Sequence, residues 1–377
     1  MTPPPQPPRP DHDRLELEPP ATPREPAIPE PPAQRRADDP DVAETFDRLI
    51  EQVGGVRGSF EARLIRELMT AGLKLIPDGR DTGELKLIAA AVKELRYAFR
   101  VFGQYRDPHK VTIFGSARTA PDHPDFAAAV EFGRLMARRG WMIITGAGDG
   151  IMRAGHLGPG REASFGVAIR LPFETTANEV IAGDEKLIHF RYFFTRKLMF
   201  ISQAEAVALF PGGFGTLDEA YEVLTLVQTG KASMVPIVCV EGAGGTYWRD
   251  WDRFTRDQLM ARGLISPEDS ALYYIARDPT DAADHVERFY RNYHSSRYVR
   301  DDYIIRIKRP LSADAVERLN GEFGALVKSG RIVQRAPYDA EDDHRDLPRI
   351  AFTHTRRQFG LIRRLIDRIN DMSPGEP

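Results

Sequence analysis

One cysteine in 377 residues excludes a disulfide within the chain and leaves a cysteine-held metal cluster without ligands. That cysteine, Cys239, sits in the apolar run Val235-Pro-Ile-Val-Cys-Val240, which reads as a core strand. No apolar run approaches 18 residues, so no membrane-spanning helix and no membrane partner are predicted. The first residues lack the apolar stretch of a secretory signal, and the cytoplasm is the expected compartment. An excess of either charge is missing too. The net charge is −3, and positions 1–40 account for it with five basic and eight acidic residues. The remainder balances at 47 against 47, so bulk charge gives no argument for nucleic acid. No Gly-Lys-Ser/Thr occurs, which disfavours a P-loop. Gly146-x-Gly-x-Gly150 lacks the dinucleotide spacing, and no acidic residue some 20 positions on ends a second strand.

Proline, by contrast, is concentrated. Residues 1–40 hold 14 of the 29 prolines and almost no large apolar side chains, the composition of a disordered tail. The rest has an ordinary globular make-up and is long enough to bury roughly three quarters of its surface. Apolar spacing of three and four predicts helices over Asp41–Val53, Phe60–Leu75 and Leu85–Phe102, with Asp81-Thr-Gly-Glu84 as a helix start. From 110 the pattern alternates. Strands are expected at 110–114, 141–145, 164–170, 206–210, 235–240 and 272–275. Helices are expected at 126–139, 151–157, 192–203, 217–229, 247–262 and 282–293. Alternation with apolar strands predicts an α/β fold, a Rossmann-like doubly wound parallel sheet. A small C-terminal α+β appendage follows, with strands at 303–307, 331–334 and 349–352, a helix at 313–328 and a last helix that carries Phe359, Ile362, Leu365, Ile366 and Ile369 on one face. The expected divisions are a tail at 1–40, a helical region at 41–103, the central domain at 104–297 and the appendage at 298–377. Arg356, Arg357, Arg363, Arg364 and Arg368 on the last helix read as a solvated basic face.

The most specific stretch is Phe210-Pro-Gly-Gly-Phe-Gly-Thr-Leu-Asp-Glu219. It leaves a strand and enters a helix, so amides of Gly212, Gly213, Gly215 and Thr216 and the Thr216 hydroxyl can converge on an anion, most simply a phosphate. Two more predicted strands end in glycine turns, Gly115-Ser-Ala-Arg118 and Gly146-Ala-Gly-Asp-Gly150. In parallel sheets ligands bind beyond such strand ends. Taken singly, these residues have plain structural readings. Glu219 in a first helical turn favours the helix dipole, Arg196 and Lys197 are surface charges on a helix, and Gly115 and Gly148 serve packing. His189 and the aromatics Phe190, Tyr192, Phe193 and Phe194 read as structural, with base stacking by one of them as the minority alternative.

Together the residues point elsewhere. Phe193-Phe-Thr-Arg-Lys197, followed by Pro211-Gly-Gly-x-Gly-Thr-x-x-Glu219, resembles the signature of the LOG (Lonely Guy) family, nucleoside 5′-monophosphate phosphoribohydrolases often mislabelled lysine decarboxylases. The resemblance covers about residues 110–262. Phe114-Gly-Ser-Ala117 looks like the family's first glycine turn and Thr145-Gly-Ala-Gly-Asp-Gly-Ile-Met152 like its second, with Ala147 where the family has glycine. That extra methyl is expected to narrow the base or ribose pocket. The resemblance implies Arg196 and Glu219 as the catalytic pair. Gly115, Ser116, Gly146, Gly148, Gly150, Met152, Lys197, Pro211, Gly212, Gly213, Gly215 and Thr216 form the expected binding set. A homodimer, a small-molecule nucleotide substrate and the absence of any metal or organic cofactor are implied as well. Cleaving an N-glycosidic bond needs a held phosphate, a cation such as Arg196 to orient phosphate or ribose, and a carboxylate such as Glu219 to support the oxocarbenium-like transition state or activate water. The expected reaction converts AMP or a cytokinin riboside monophosphate to free base and ribose 5-phosphate. The alternative is a nucleotide- or molybdenum-cofactor-binding protein without catalysis. Lysine decarboxylation would need pyridoxal phosphate on a lysine, and neither Lys197 nor Lys231 lies in a motif for it.

Overall fold

In the computed structural model, residues 36–170 and 177–372 are described. Most of the proline-rich segment therefore lies outside the described residues. Those residues divide into two compact units, 36–96 and Tyr97 onward.

The first unit holds helix α1 (Pro40–Gln52), α2 (Phe60–Lys74) and most of α3 (Thr82–Phe102). Ser59 starts α2 by accepting the Ala62 amide on its hydroxyl, and the Asp81 carboxylate does the same for Glu84 at the start of α3. Phe46, Ile50 and Ala62 are buried where α1 meets α2. Ion pairs of Arg57 with Glu44 and Arg66 with Asp47 flank that contact.

The second unit is built on a seven-stranded parallel sheet. In chain order it contains β1 (Lys110–Phe114), α4 (Pro124–Arg138), β2 (Met142–Thr145), α5 (Ile151–Leu157), β3 (Ser164–Ile169), β4 (Leu187–Phe190), α6 (Phe193–Ser202) and β5 (Ala206–Leu209). Then come α7 (Phe214–Gln228), β6 (Ile237–Cys239), α8 (Tyr247–Phe254), β7 (Tyr274–Ile275) and α9 (Pro279–Phe289). The spatial order is β4-β3-β2-β1-β5-β6-β7, all parallel. Val111, Ile113, Ile143, Phe165, Val167, Leu209 and Ile237 are almost wholly buried, as a sheet covered on both faces requires. β4 escaped the sequence reading because Leu187-Ile-His-Phe190 is only four residues long. After α8 the backbone continues as a π-helix over Thr255–Met260, where one long helix was expected. The chain runs outward from β1 to β4, returns, and runs outward again through β5, so β1 and β5 flank the point where strand order reverses. That places the turns after β1, β2 and β5 together at the carboxyl edge.

A second sheet, β10-β11-β9-β8, is antiparallel. It comprises β8 (Tyr293–Val299), β9 (Asp302–Ile307), β10 (Val327–Arg335) and β11 (Arg349–His354), with α10 (Ala313–Phe323) and α11 (Phe359–Met372). β8 begins five residues before the expected boundary at 298, in a stretch whose polar serines and arginine hide its strand character. α11 buries Phe359, Ile362, Leu365, Ile366 and Ile369, and Arg363 as well. The solvated basic face is therefore corrected at Arg363, which contacts His285 Nε2 at 2.8 Å and pairs with Asp367 at 3.1 Å.

On one face of this sheet Arg306 and Arg349 stand directly opposite each other on β9 and β11, and both are buried. Like charges facing across strands repel. Glu341, itself fully buried, resolves this by accepting from Arg306 Nη2 at 3.0 Å, Arg349 Nη2 at 3.1 Å and the Tyr338 amide at 3.0 Å. The charge pattern thus binds loop 336–348 onto the sheet. Removing one member of such a cluster leaves a buried charge uncompensated. Glu341→Gln should destabilise the fold by about 3–5 kcal/mol in urea unfolding; a loss under 1 kcal/mol would show that the arginines do not depend on it.

Candidate active site

The three glycine turns are locked to one another through backbone. The Ser116 amide donates to the Pro211 carbonyl at 3.1 Å, and the Ile151 amide donates to the Ser116 carbonyl at 3.0 Å. A Cβ on Gly212 would lie 2.1 Å from Thr216 Oγ1 and 3.0 Å from the Ser116 nitrogen. No other residue fits that approach. The Tyr247 hydroxyl, at the start of α8, donates to the Gly212 carbonyl at 2.7 Å and fixes the turn from behind.

Helix α7 starts at Phe214, three residues earlier than its periodicity suggested, with Gly213 as N-cap. The apolar pattern begins only at Leu217 because Phe214, Gly215 and Thr216 form a first turn with no core face. The first bond into the helix runs from the Leu217 amide to the Gly213 carbonyl. The amides of Phe214, Gly215 and Thr216 therefore have no acceptor within the helix. Glu219 becomes the sixth helical residue, which removes the helix-dipole reading, since that effect fades beyond the first turn.

These groups open into a cavity of about 710 Å³. Of the expected site residues, Gly115, Ser116, Gly146, Met152, Arg196, Gly213, Gly215, Thr216 and Glu219 line it. Pro211 lines a neighbouring cavity behind the turn, with Tyr247 and Glu241. Gly148, Gly150, Gly212 and Lys197 line neither. The Ser116 amide is engaged by Pro211, so only its side chain remains for a ligand. Arg118 and Phe214 line the cavity without having been expected there, and Phe214 is 95% exposed. Arg118 closes the first glycine turn, a signal present in the motif itself. Among the described residues no group of three or more His, Cys, Asp or Glu is placed to hold a metal ion.

Arg196, on α6, is aimed by its neighbours. Its Nε donates to the Val167 carbonyl at 3.0 Å and its guanidinium carbon lies 5.1 Å from the Phe200 ring centre. Its Nη2 would lie 2.6 Å from a Cβ on Gly146, so that glycine makes room for the guanidinium. Lys197, the next residue on α6, is held by carboxylates. Its Nζ pairs with Asp218 at 2.7 Å and Glu222 at 2.6 Å, tying α6 to α7. Burial works against its charge, but those carboxylates outweigh it and hold its pKa above the ordinary value. Lys197 clamps α6 to α7 and does not line the cavity.

Glu219 is the chemically unusual group. It is buried, and its Oε2 has no hydrogen-bond partner. Loss of water pushes its pKa up; Lys197 and Arg196 pull it back only in part, and it settles at about 7. A carboxyl that changes charge near neutrality, in a cavity beside a fixed arginine, is a candidate acid–base group.

The turn 146–150 rests on a buried polar relay that the sequence reading missed. The Thr145 hydroxyl accepts the Ala147 amide at 3.0 Å, and His156 Nε2 lies 3.0 Å from both that hydroxyl and the Phe165 carbonyl. The Asn178 side-chain amide donates to the carbonyls of Ala147 and Gly148, each at 3.0 Å. Burial pulls the His156 pKa down to about 4, so the ring is neutral and works as a structural link. Ala147 has φ of 64° and is buried against Ala168 and Ile181. Its methyl points into the core and does not line the cavity. The expected narrowing of the pocket is corrected: the departure from glycine is a packing matter.

Residues 148–286 match the family model described as "Possible lysine decarboxylase". The chain is 28% identical over 176 residues to the cytokinin riboside 5′-monophosphate phosphoribohydrolase of Mycobacterium tuberculosis, covering 45% of this chain and 90% of that protein. It is 26% identical over 184 residues to a probable enzyme of the same name from Oryza sativa subsp. japonica, covering 48% and 78%. The resemblance to the LOG family stands. A structure of the molybdenum cofactor carrier protein from Chlamydomonas reinhardtii is 19% identical, covering 48% of this chain and 97% of that one with a TM-score of 0.33, too slight a likeness to carry an argument.

The LOG-like domain should be destabilised by its own carboxylate. In the unfolded chain Glu219 loses its proton near 4.5, in the fold near 7. Between those values the folded form binds more protons, so stability falls as pH rises and stays low above 7. Glu219→Gln removes the cost. It should be more stable than the parent by about 1–3 kcal/mol at pH 8, with little or no gain at pH 4, in thermal unfolding. An equal effect at both pH values would show that the cavity does not disfavour the charge.

Proposed function

We propose that this chain hydrolyses the N-glycosidic bond of a purine-type nucleoside 5′-monophosphate, releasing free base and ribose 5-phosphate. The observation that carries the reading is Glu219: a buried carboxyl with an unpartnered oxygen, in one cavity with Arg196 and a helix N-terminus. The amides of Phe214, Gly215 and Thr216 and the Thr216 hydroxyl hold the 5′-phosphate. Arg196, kept in place by the Val167 carbonyl and the Phe200 ring, orients phosphate or ribose hydroxyls through its fork. As the C1′–N bond breaks, positive charge develops on the ribose, and ionised Glu219 stabilises it or takes a proton from the attacking water. The water oxygen bonds to C1′, one of its protons is released, and the base leaves having gained one. Support also comes from the relatives, whose names describe the same reaction. Decarboxylation through a lysine Schiff base is less well supported, because Lys197 is held charged between two carboxylates.

Incubation with AMP and a panel of other monophosphates, followed by chromatography, should give the free base and ribose 5-phosphate. Binding without turnover would favour the carrier reading instead. Glu219→Gln should lower kcat by about 10²–10⁴, and full activity in that variant would overturn the assignment. For the parent, kcat/KM should rise with pH and level off above about 7, following ionisation of Glu219.

Ala147→Gly offers a separate check. It relaxes a left-handed backbone position but deletes a buried methyl, so stability should move by no more than about 1 kcal/mol. The ranking of bases on the same panel should not change; a changed ranking would place the methyl against the substrate.

A further inference from the structure

Two arginines line the cavity, and the fold treats them differently. Arg196 is bonded and packed in place by Val167 and Phe200. Arg118 is exposed, and among the described residues its guanidinium has no hydrogen-bond or ion-pair partner. Its backbone, by contrast, is anchored. The Arg118 amide donates to Ser116 Oγ at 3.1 Å, which leaves the Ser116 hydroxyl its own proton to donate. A Cβ on Gly150 would lie 2.3 Å from the Ser116 carbonyl oxygen and 2.6 Å from the Ala117 carbonyl carbon, and one on Gly212 would lie 3.0 Å from the Ser116 nitrogen. The first glycine turn is thus wedged between the other two. An unpartnered guanidinium fork on such a fixed backbone suits an anionic ligand.

Strand order gives the two arginines different parts of that ligand. Along the carboxyl edge β5 is followed by β1, β2 and β3. Arg118 follows β1, and the neighbouring β5 leads into the amides at the start of α7. Arg196 sits further along, on the Val167 carbonyl of β3 and against Gly146 after β2. Strands lie about 4.8 Å apart, so β3 is roughly 14 Å from β5. Arg196 is also close enough to Glu219 to draw its pKa down. We propose that Arg118 is the counter-charge of the substrate's 5′-phosphate and the residue that selects phosphorylated over free nucleosides, with Arg196 left to the ribose and Glu219. This role rests on the nucleotide reading of the site. Asp218 and Glu219 line the same cavity, so a phosphate dianion meets like charge there, and Arg118 offsets it. An interaction made equally in bound substrate and transition state lowers KM and leaves kcat little changed.

Arg118→Gln changes an exposed side chain, so the fold should be unaffected. With AMP its KM should rise about 10–100-fold, while kcat falls by no more than about threefold. The preference for AMP over adenosine, as a ratio of kcat/KM, should drop by the factor that KM gains. Arg118→Lys, which keeps the charge without the fork, should fall between parent and Arg118→Gln. Arg196→Gln should lower kcat on both compounds and leave that ratio near the parent's. Calorimetric titration with ribose 5-phosphate separates this role from the reaction. Weaker binding in Arg118→Gln, with no cleavage of AMP by the parent, would sink the reaction and keep Arg118 on the phosphate. Cleavage of AMP with KM, the AMP-to-adenosine ratio and ribose 5-phosphate affinity all unchanged in the variant would overturn the proposal and keep the reaction. A parent that binds neither AMP nor ribose 5-phosphate would overturn both.

Discussion

The arrangement at the carboxyl edge depends on two backbone hydrogen bonds, Ser116 to Pro211 and Ile151 to Ser116. They join three turns that are distant in sequence and leave little slack. Gly212 must come so close to Thr216 and Ser116 that a methyl could not fit. With the turns joined, the first turn of α7 faces the cavity that Arg196 and Glu219 also enter. Support comes from behind on both sides: Tyr247 grips the Gly212 carbonyl, and the Thr145–His156–Asn178 relay carries the turn after β2. These supports act on the backbone of the turns and limit where the cavity-lining atoms can be. A site held this way costs little to reorganise when charge develops in it.

Burial then sets the chemistry. Taking Glu219 out of water without giving Oε2 a partner costs stability once the group ionises, and two nearby cations offset only part of that cost. Structural carboxylates in the same fold are treated differently. Glu341 is also buried, but two arginines and a backbone amide satisfy it, and its pKa is lowered in spite of burial. The contrast between a satisfied and an unsatisfied buried glutamate separates a structural group from a reactive one better than burial alone.

Much of the fold was legible because its central strands are short apolar runs ending in glycine turns, and because most helices keep a regular apolar stripe. β4 and β8 were missed for a shared reason: four residues at a sheet edge, or a polar strand with one half-covered face, carry little periodic signal. The early start of α7 was hidden because its first turn lines the cavity and carries no buried apolar residue. Of the site, Arg196, Glu219 and the glycine turns could be read from the motif, while Lys197 was assigned to the substrate through its neighbour. Spacing shows that two residues share a helix; it does not show which side each one faces.

The sequence by itself determined the alternation of strands and helices and the three glycine turns at strand ends, since these follow from local apolar period and turn chemistry; the pairing of Arg196 with Glu219 came from the resemblance to the LOG family. Only the tertiary structure decided that Glu219 loses its water, that Lys197 is taken up by Asp218 and Glu222, and that the Ala147 methyl points into the core. Desolvation, ion pairing across helices and the direction of a side chain from a left-handed turn all depend on residues far away in the chain, and distance in space is what the linear order does not record.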